Sequence, residues 1–173
     1  MTTAPSLALR EMRWWDIEPV LELERKAFPE DAWSPAMFWS DLAHARGPEA
    51  DRRYVVAEEP SAEPGGTARI VGYAGLAWVP GLDAGTADIL TIAAAADRLG
   101  AGVGPALLED LLAAAAAAGC AEVLLDVRVD NHRAQRFYER YGFTTIGVRR
   151  GYYQPGNVDA YVMRRTEART EKD

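Results

Sequence analysis

Two periods of apolar residues divide the chain. In WWDIEPVLELERKAF, residues 14–28, apolar side chains recur at Ile17, Val20, Leu21 and Phe28. That spacing marks one face of a helix, and Pro19 falls early enough to fit its first turn. WSPAMFWSDLAHA predicts a second helix, with Ser34 as N-cap and Pro35 at the first helical position. SLALREMR alternates weakly and suits a first strand. RRYVVAEE, ARIVGYAGLAWV and GTADILTIAA read as three more strands, with PSAEPGG as a loop after the first of them. A long helix follows from about 104 to 118, where six consecutive alanines favour it and Gly119 stops it. AEVLLDVRV is a buried-type strand, and NHRAQRFYERYGF a helix ended by Gly142. TTIGVRRGYY and VDAYVMRR form an antiparallel pair. The order is strand, two helices, three strands, helix, strand, helix, two strands. This predicts one layered α/β domain over 7–165, with flexible termini at 1–6 and 166–173.

Composition narrows the function. The chain has 173 residues, about half of them apolar, enough for one core. Its formal net charge is -7, against the basic surface of a nucleic-acid binder and in favour of a cationic partner. One cysteine, Cys120, excludes an internal disulfide, and with only His44 and His132 no metal site is expected. No apolar run is long enough to span a membrane, and the N-terminus has no signal core. The expectation is a cytoplasmic protein with no metal and no direct contact with nucleic acid or membrane, acting as a monomer or weak homodimer.

The chemistry starts at ADRLGAGVGPALLEDLL. Gly100, Gly102 and Gly104 alternate in front of a helix. Glycines admit close backbone approach, and a helix start offers free N–H groups and a dipole to an anion. The spacing is neither a P-loop nor a dinucleotide fingerprint. By itself it fits a phosphate cradle or a turn that only permits close packing. Downstream, Asp126 ends a strand, Asn131 starts a helix, and Tyr138 lies two turns on from Asn131, on the same face.

Taken together, ILTIAA, GAGVGPALL, DVRVDNHRAQRFYERYGF and RRGYY resemble the GNAT family of acetyl-CoA-dependent N-acetyltransferases, over roughly residues 7–165. Within it the chain is most similar to the RimI type, which acetylates protein N-terminal α-amines, typically the alanine of ribosomal small-subunit protein eighteen. The resemblance implies a GNAT (acyl-CoA N-acyltransferase) fold, a central mixed sheet of about seven strands flanked by about four helices. It implies that Gly100, Ala101, Gly102, Val103 and Gly104 hold the acetyl-CoA pyrophosphate by backbone N–H groups. Ile92, Ala93 and Ala94 match the strand that pairs with the pantetheine arm and supplies an oxyanion donor. Asn131 matches a cofactor contact and is also a plain N-cap residue. Tyr138 matches the acid that protonates the leaving thiolate. Asp126 matches the general base acting through a water; the RimI type normally carries a glutamate there, longer by about 1.5 Å. Trp33, Tyr152 and Tyr153 match the acceptor side, and alternation along a strand puts one of the two tyrosines into the core. By their charge, Glu30 and Asp31 fit either the attraction of a cationic peptide or a loop that is only solvated.

The chain departs from the family pattern at Leu99, where Gln or Arg is usual, at Ala101 and Pro105, and at Asp126. Pro105 suits a first helical turn but brings no N–H to an anion. Arg98, one place early, remains a phosphate candidate. The leading expectation is therefore acetyl transfer to a protein N-terminus. A GNAT enzyme acting on a small amine and a GNAT-fold binding module with weakened catalysis stay open beside it.

Overall fold

A computed structural model describes residues 6–82 and 84–167. The elements are β1 (Ala8–Glu11), a 3-10 turn (Trp14–Asp16), α1 (Ile17–Ala27), α2 (Pro35–Ala43), β2 (Arg52–Glu59), β3 (Arg69–Trp78) and β4 (Thr86–Ala94). A second 3-10 turn (Ala96–Arg98) leads to α3 (Val103–Ala117), β5 (Glu122–Arg128), α4 (His132–Arg140), β6 (Thr144–Tyr153) and β7 (Val158–Thr166). The order and types are those the residue pattern predicts. Ser34 caps α2, its hydroxyl accepting from the Met37 N–H at 3.3 Å, with Pro35 next in line. Gly119 and Gly142 take φ of +78° and +84° at the ends of α3 and α4, a conformation glycine adopts without strain. At the far end the ladder runs on through Thr166, which pairs with Glu122, and Glu167 donates to the Ala121 carbonyl. The expected flexible segments 1–5 and 168–173 lie outside the described residues.

All seven strands join one sheet in the order β1-β2-β3-β4-β5-β7-β6, antiparallel except for the β4–β5 pair. The α3 face of the sheet carries Leu107, Leu108 and Leu111, with Tyr138 and Phe143 from α4 and its exit. The opposite face carries Ile17, Val20 and Leu21 of α1 and Phe38 of α2, packed on Tyr54, Val56 and Tyr73. Each buried aliphatic side chain contributes roughly 1.5–3 kcal/mol. Asp16 is buried at the start of α1 and compensated there by two bonds from Arg10, at 2.7 and 2.9 Å, and by the Arg13 N–H at 2.7 Å.

One break in the sheet shapes everything that follows. β4 and β5 pair only from Thr86↔Glu122 to Ile89↔Leu125. Beyond that point β4 stays with β3 as far as Ala94, and β5 stays with β7 as far as Arg128. The two central strands therefore part. A register shift against β3 leaves Leu90 as an extra residue in β4. Such a bulge bends its strand and raises the local twist.

Candidate active site

A cleft of about 480 Å³ opens where the strands part. Leu90, Thr91 and Ile92 of β4 form one wall, and Asp126, Val127 and Arg128 of β5 the other. The C-terminal end of α1 and the loop after it close the side with Glu24, Phe28, Glu30, Asp31 and Trp33, while Asn131 and Tyr138 come from the α4 side and Tyr153 from β6.

The backbone of β4 gives this wall a free edge. Ala95 donates to Val71 at 2.8 Å. Antiparallel ladders alternate bonded and non-bonded pairs, so Ala93 with Tyr73 and Thr91 with Gly75 are the bonded pairs. Ile92 and Ala94 turn their N–H and C=O groups away from β3, towards the gap. Ala93 does the opposite: its backbone faces β3 and its side chain lies in the α1-side core. Of the three strand residues expected at the cosubstrate, Ile92 and Ala94 offer a free edge and Ala93 does not.

The glycine loop follows β4 directly, outside the cleft lining. Gly100 and Gly102 have φ of +81° and +87°. Ala106 donates the first intrahelical bond of α3, to Gly102 at 3.1 Å. The amides of Val103 and Gly104 thus have no acceptor within the helix. Pro105, next in line, has none to give. The Ala101 amide already donates to Arg98 at 3.1 Å, which leaves the amides of Gly100, Gly102, Val103 and Gly104 as the loop's candidates for an anion. The Val103 side chain is buried; a Cβ on Gly72 would meet it at 2.6 Å. Arg98 is turned from the loop to Glu59, its Nε lying 2.8 and 2.9 Å from the two carboxylate oxygens.

Tyr138 is 6% exposed, its ring packed on Phe137 and Phe143. Burial, and next the neighbouring Tyr153, push its pKa well above the ordinary phenol value. The phenol is therefore protonated at neutral pH. Asp126 projects into the cleft with Oδ1 accepting from Arg149 Nε at 3.0 Å. Asn131 caps α4, its Oδ1 accepting from the Ala134 N–H at 3.1 Å, while it also lines the cleft. The N-cap reading of that asparagine is met, and its place in the lining leaves the cosubstrate reading open.

The paired tyrosines correct the expectation that one is core. Tyr152 is 50% exposed, and Tyr153 is half-buried at the cleft with its hydroxyl donating to the Asp126 carbonyl at 3.3 Å. Gly151 has φ of +58°, and the β6–β7 register shifts between Arg149 and Tyr153. The break in alternation sets the two rings 5.1 Å apart, edge to face.

Three features were not among the sequence candidates. Arg149 holds Asp126, and nothing in its own neighbourhood in the sequence points to that. Arg128 crosses the mouth, bonded twice to Asp130 at 3.0 Å and reaching Glu30 at 3.5 Å, with its guanidinium over Tyr153. Glu24 is the third. It continues the stripe Ile17, Val20, Leu21, so its position on a buried face was visible as a charge where an apolar residue belongs. It is 1% exposed, and its Oε1 accepts from the Trp33 N–H at 2.9 Å. Burial pushes its pKa up to about 7, with the Trp33 bond opposing and Asp31 adding to the rise.

Comparison with known proteins agrees with this geometry. Residues 17–143 match the acetyltransferase (GNAT) family. The chain is 36% identical to the N-alpha-acetyltransferase RimI of Mycobacterium tuberculosis over 151 residues, 87% of this chain and 86% of that protein. It is 30% identical over 156 residues to a putative [ribosomal protein bS18]-alanine N-acetyltransferase of Bacillus subtilis, covering 90% and 93%. The crystal structure of Arabidopsis thaliana NAA60 in complex with acetyl-CoA shares the fold, with a TM-score of 0.81 at 18% identity over 93% of this chain and 98% of that one.

Proposed function

The chain belongs to the GNAT family and is an N-acetyltransferase of RimI-like type, and from that premise we propose that it acetylates the α-amine of a protein N-terminus, foremost the N-terminal alanine of a small-subunit ribosomal protein. The observation that carries this reading is the parting of β4 and β5, which collects Asp126, Tyr138 and a free strand edge in one cleft. Acetyl-CoA is the donor substrate. Its amide-bearing arm fits the open N–H and C=O groups of Ile92 and Ala94, and its pyrophosphate fits the loop amides of Gly100, Gly102, Val103 and Gly104. Asn131 adds a contact from the α4 cap.

The acceptor enters between the loop after α1 and β6, past Trp33, Tyr152 and Tyr153. Glu30, Asp31 and Asp130 give this entrance a negative rim suited to basic residues behind the N-terminus. Asp126, through one water, accepts a proton from the attacking nitrogen, and Tyr138 gives one to the departing sulfur. The Ile92 amide stabilises the carbonyl oxygen as charge develops there.

The test is acetyl transfer from acetyl-CoA to a peptide beginning Ala-Arg-Tyr, read by intact mass and fragmentation. One acetyl group on the α-amine is the expected result. Transfer to small amines only would replace the acceptor. A chain that neither transfers nor binds acetyl-CoA would be a binding module, as the altered loop at Leu99 and Pro105 would then explain.

A further inference from the structure

We propose that Glu24 is a second proton acceptor of this site: it takes the first proton that the acceptor ammonium sheds, and Asp126 takes only the second. The inference rests on the acetyl-transfer reading above. Its ground is the placement of two carboxyl groups from different elements around one cleft, with different partners. Asp126 on β5 is held by the Arg149 guanidinium. Glu24 on α1 lines the same cleft, and only Oε1 is engaged; its buried Oε2 has no hydrogen-bond partner among the described residues.

The nitrogen's own chemistry asks for two acceptors. An α-ammonium carries three protons and the product amide one. In the first step an N–H bond breaks, Glu24 Oε2 gains the proton, and the electron pair stays on nitrogen. That pair forms the new N–C bond at the thioester carbonyl. The C–S bond breaks, and sulfur keeps its electron pair and takes the Tyr138 proton. The second nitrogen proton passes through Asp126 back to the Tyr138 oxygen. Glu24 then returns its proton to solvent, so one proton is released per turnover.

The surroundings suit Glu24 to the first step. An α-ammonium has a pKa near 8, and a glutamate at its ordinary value of 4.5 is a poor match for it. At about 7, Glu24 lies roughly one unit below the ammonium, close to the best value for a base at neutral pH. Burial raises it most, and one neighbouring charge adds to the rise. Asp31 in the loop after α1 disfavours its charge. Tyr54 of β2 couples to it and donates its hydroxyl to Asp41 of α2. Tyr73 of β3, under α1, has a buried hydroxyl without a partner among the described residues, and Thr91 of β4 faces the cleft beside it. No cation is bonded to Glu24 within the described residues to pull its pKa down.

The deciding experiment follows kcat against pH at saturating Ala-Arg-Tyr peptide for the wild type, Glu24→Gln, Glu24→Asp and Asp126→Asn. Saturation removes the titration of the free amine. The wild type should lose activity on the acid side with an apparent pKa near 7. Glu24→Gln keeps an oxygen for the Trp33 N–H; it should lower kcat on the order of 10²-fold, remove that limb and leave acetyl-CoA affinity unchanged. Glu24→Asp should restore part of the rate together with a limb. Asp126→Asn should be slower at every pH and keep the limb. Wild-type turnover in Glu24→Gln, with the limb intact, overturns the proposal and leaves Glu24 only its bond to Trp33. The wild type supplies a check that needs no variant: carbon-13 titration of its glutamate carboxyls should show one near 7, and a Glu24 that titrates in the ordinary range overturns the proposal as well. A wild type that acetylates no amine at any pH removes the transferase reading and this proposal with it, an outcome distinct from an active enzyme indifferent to Glu24→Gln.

Discussion

A carboxyl group buried without a cation destabilises the fold whenever it is charged, and Glu24 is such a group. Its folded pKa, about 7, lies above the ordinary value of 4.5. Between those two values the folded chain binds more protons than the unfolded chain. Stability is therefore greatest below the lower value and is lost as pH rises through about 7. Glu24→Gln should raise the thermal midpoint at pH 8 and change it little at pH 4; equal shifts at both would show that charge is not the cause. Tyr138 allows a cleaner separation of packing from chemistry. Tyr138→Phe preserves the contacts with Phe137 and Phe143. It should cut kcat by about 10²–10⁴ with acetyl-CoA affinity unchanged; a loss below about threefold would assign the sulfur's proton to another donor. The places of Asp126 and Tyr138 beside one cleft were legible in the sequence, because a motif fixes their distance from a strand and a helix start. Arg149 was not. Its bond to Asp126 spans 23 residues and exists because β7 lies between β5 and β6, setting Asp126, Val162 and Gly147 in one row with Arg149 two places further along β6.

Elements were more legible than their details. Caps and stops at Ser34, Gly119 and Gly142 act locally, so the sequence places them well. The phase of the Tyr152–Tyr153 pair failed because one left-handed residue, Gly151, breaks the alternation. The glycine loop, too, divides by backbone. Gly102 needs positive φ, which costs an L-residue roughly 1–2 kcal/mol. Gly104 sits within α3, where an added Cβ would meet the Phe137 ring at an ordinary 3.6 Å. Gly102→Ala should therefore lower the thermal midpoint and weaken acetyl-CoA binding. Gly104→Ala should fold at least as stably as the wild type, since alanine is the better helix former. Calorimetry on the two variants decides this, and equal losses in both would mean that the loop is limited by space and not by backbone angle.

The molecule as a whole is acidic, with net charge -7, and part of that charge lies at the cleft, where the proposed acceptor would enter. Attraction across a rim weakens as salt shortens its range to roughly 8 Å at 0.15 M and 3 Å at 1 M. KM for Ala-Arg-Tyr should rise with ionic strength, and KM for a peptide with alanine in place of arginine should rise much less. Parallel rises would remove Glu30, Asp31 and Asp130 from acceptor recognition. The layered fold was legible because strand and helix periods are written along every segment. The cleft itself was not visible in those periods. It depends on where β4 and β5 stop pairing, a property of two strands more than thirty residues apart.

That early stop has a consequence for the life of the protein. The Ile92 and Ala94 backbone groups are an unpaired edge inside a sheet, and on the function proposed above a donor molecule laid along them would act as a borrowed strand. Anything that binds only the folded chain stabilises it by mass action, by about 2.7 kcal/mol at a hundred times its dissociation constant. The chain's resistance to unfolding and proteolysis should thus track the supply of acetyl-CoA, so that a well-fed cell keeps more of this enzyme than a starved one from the same rate of synthesis.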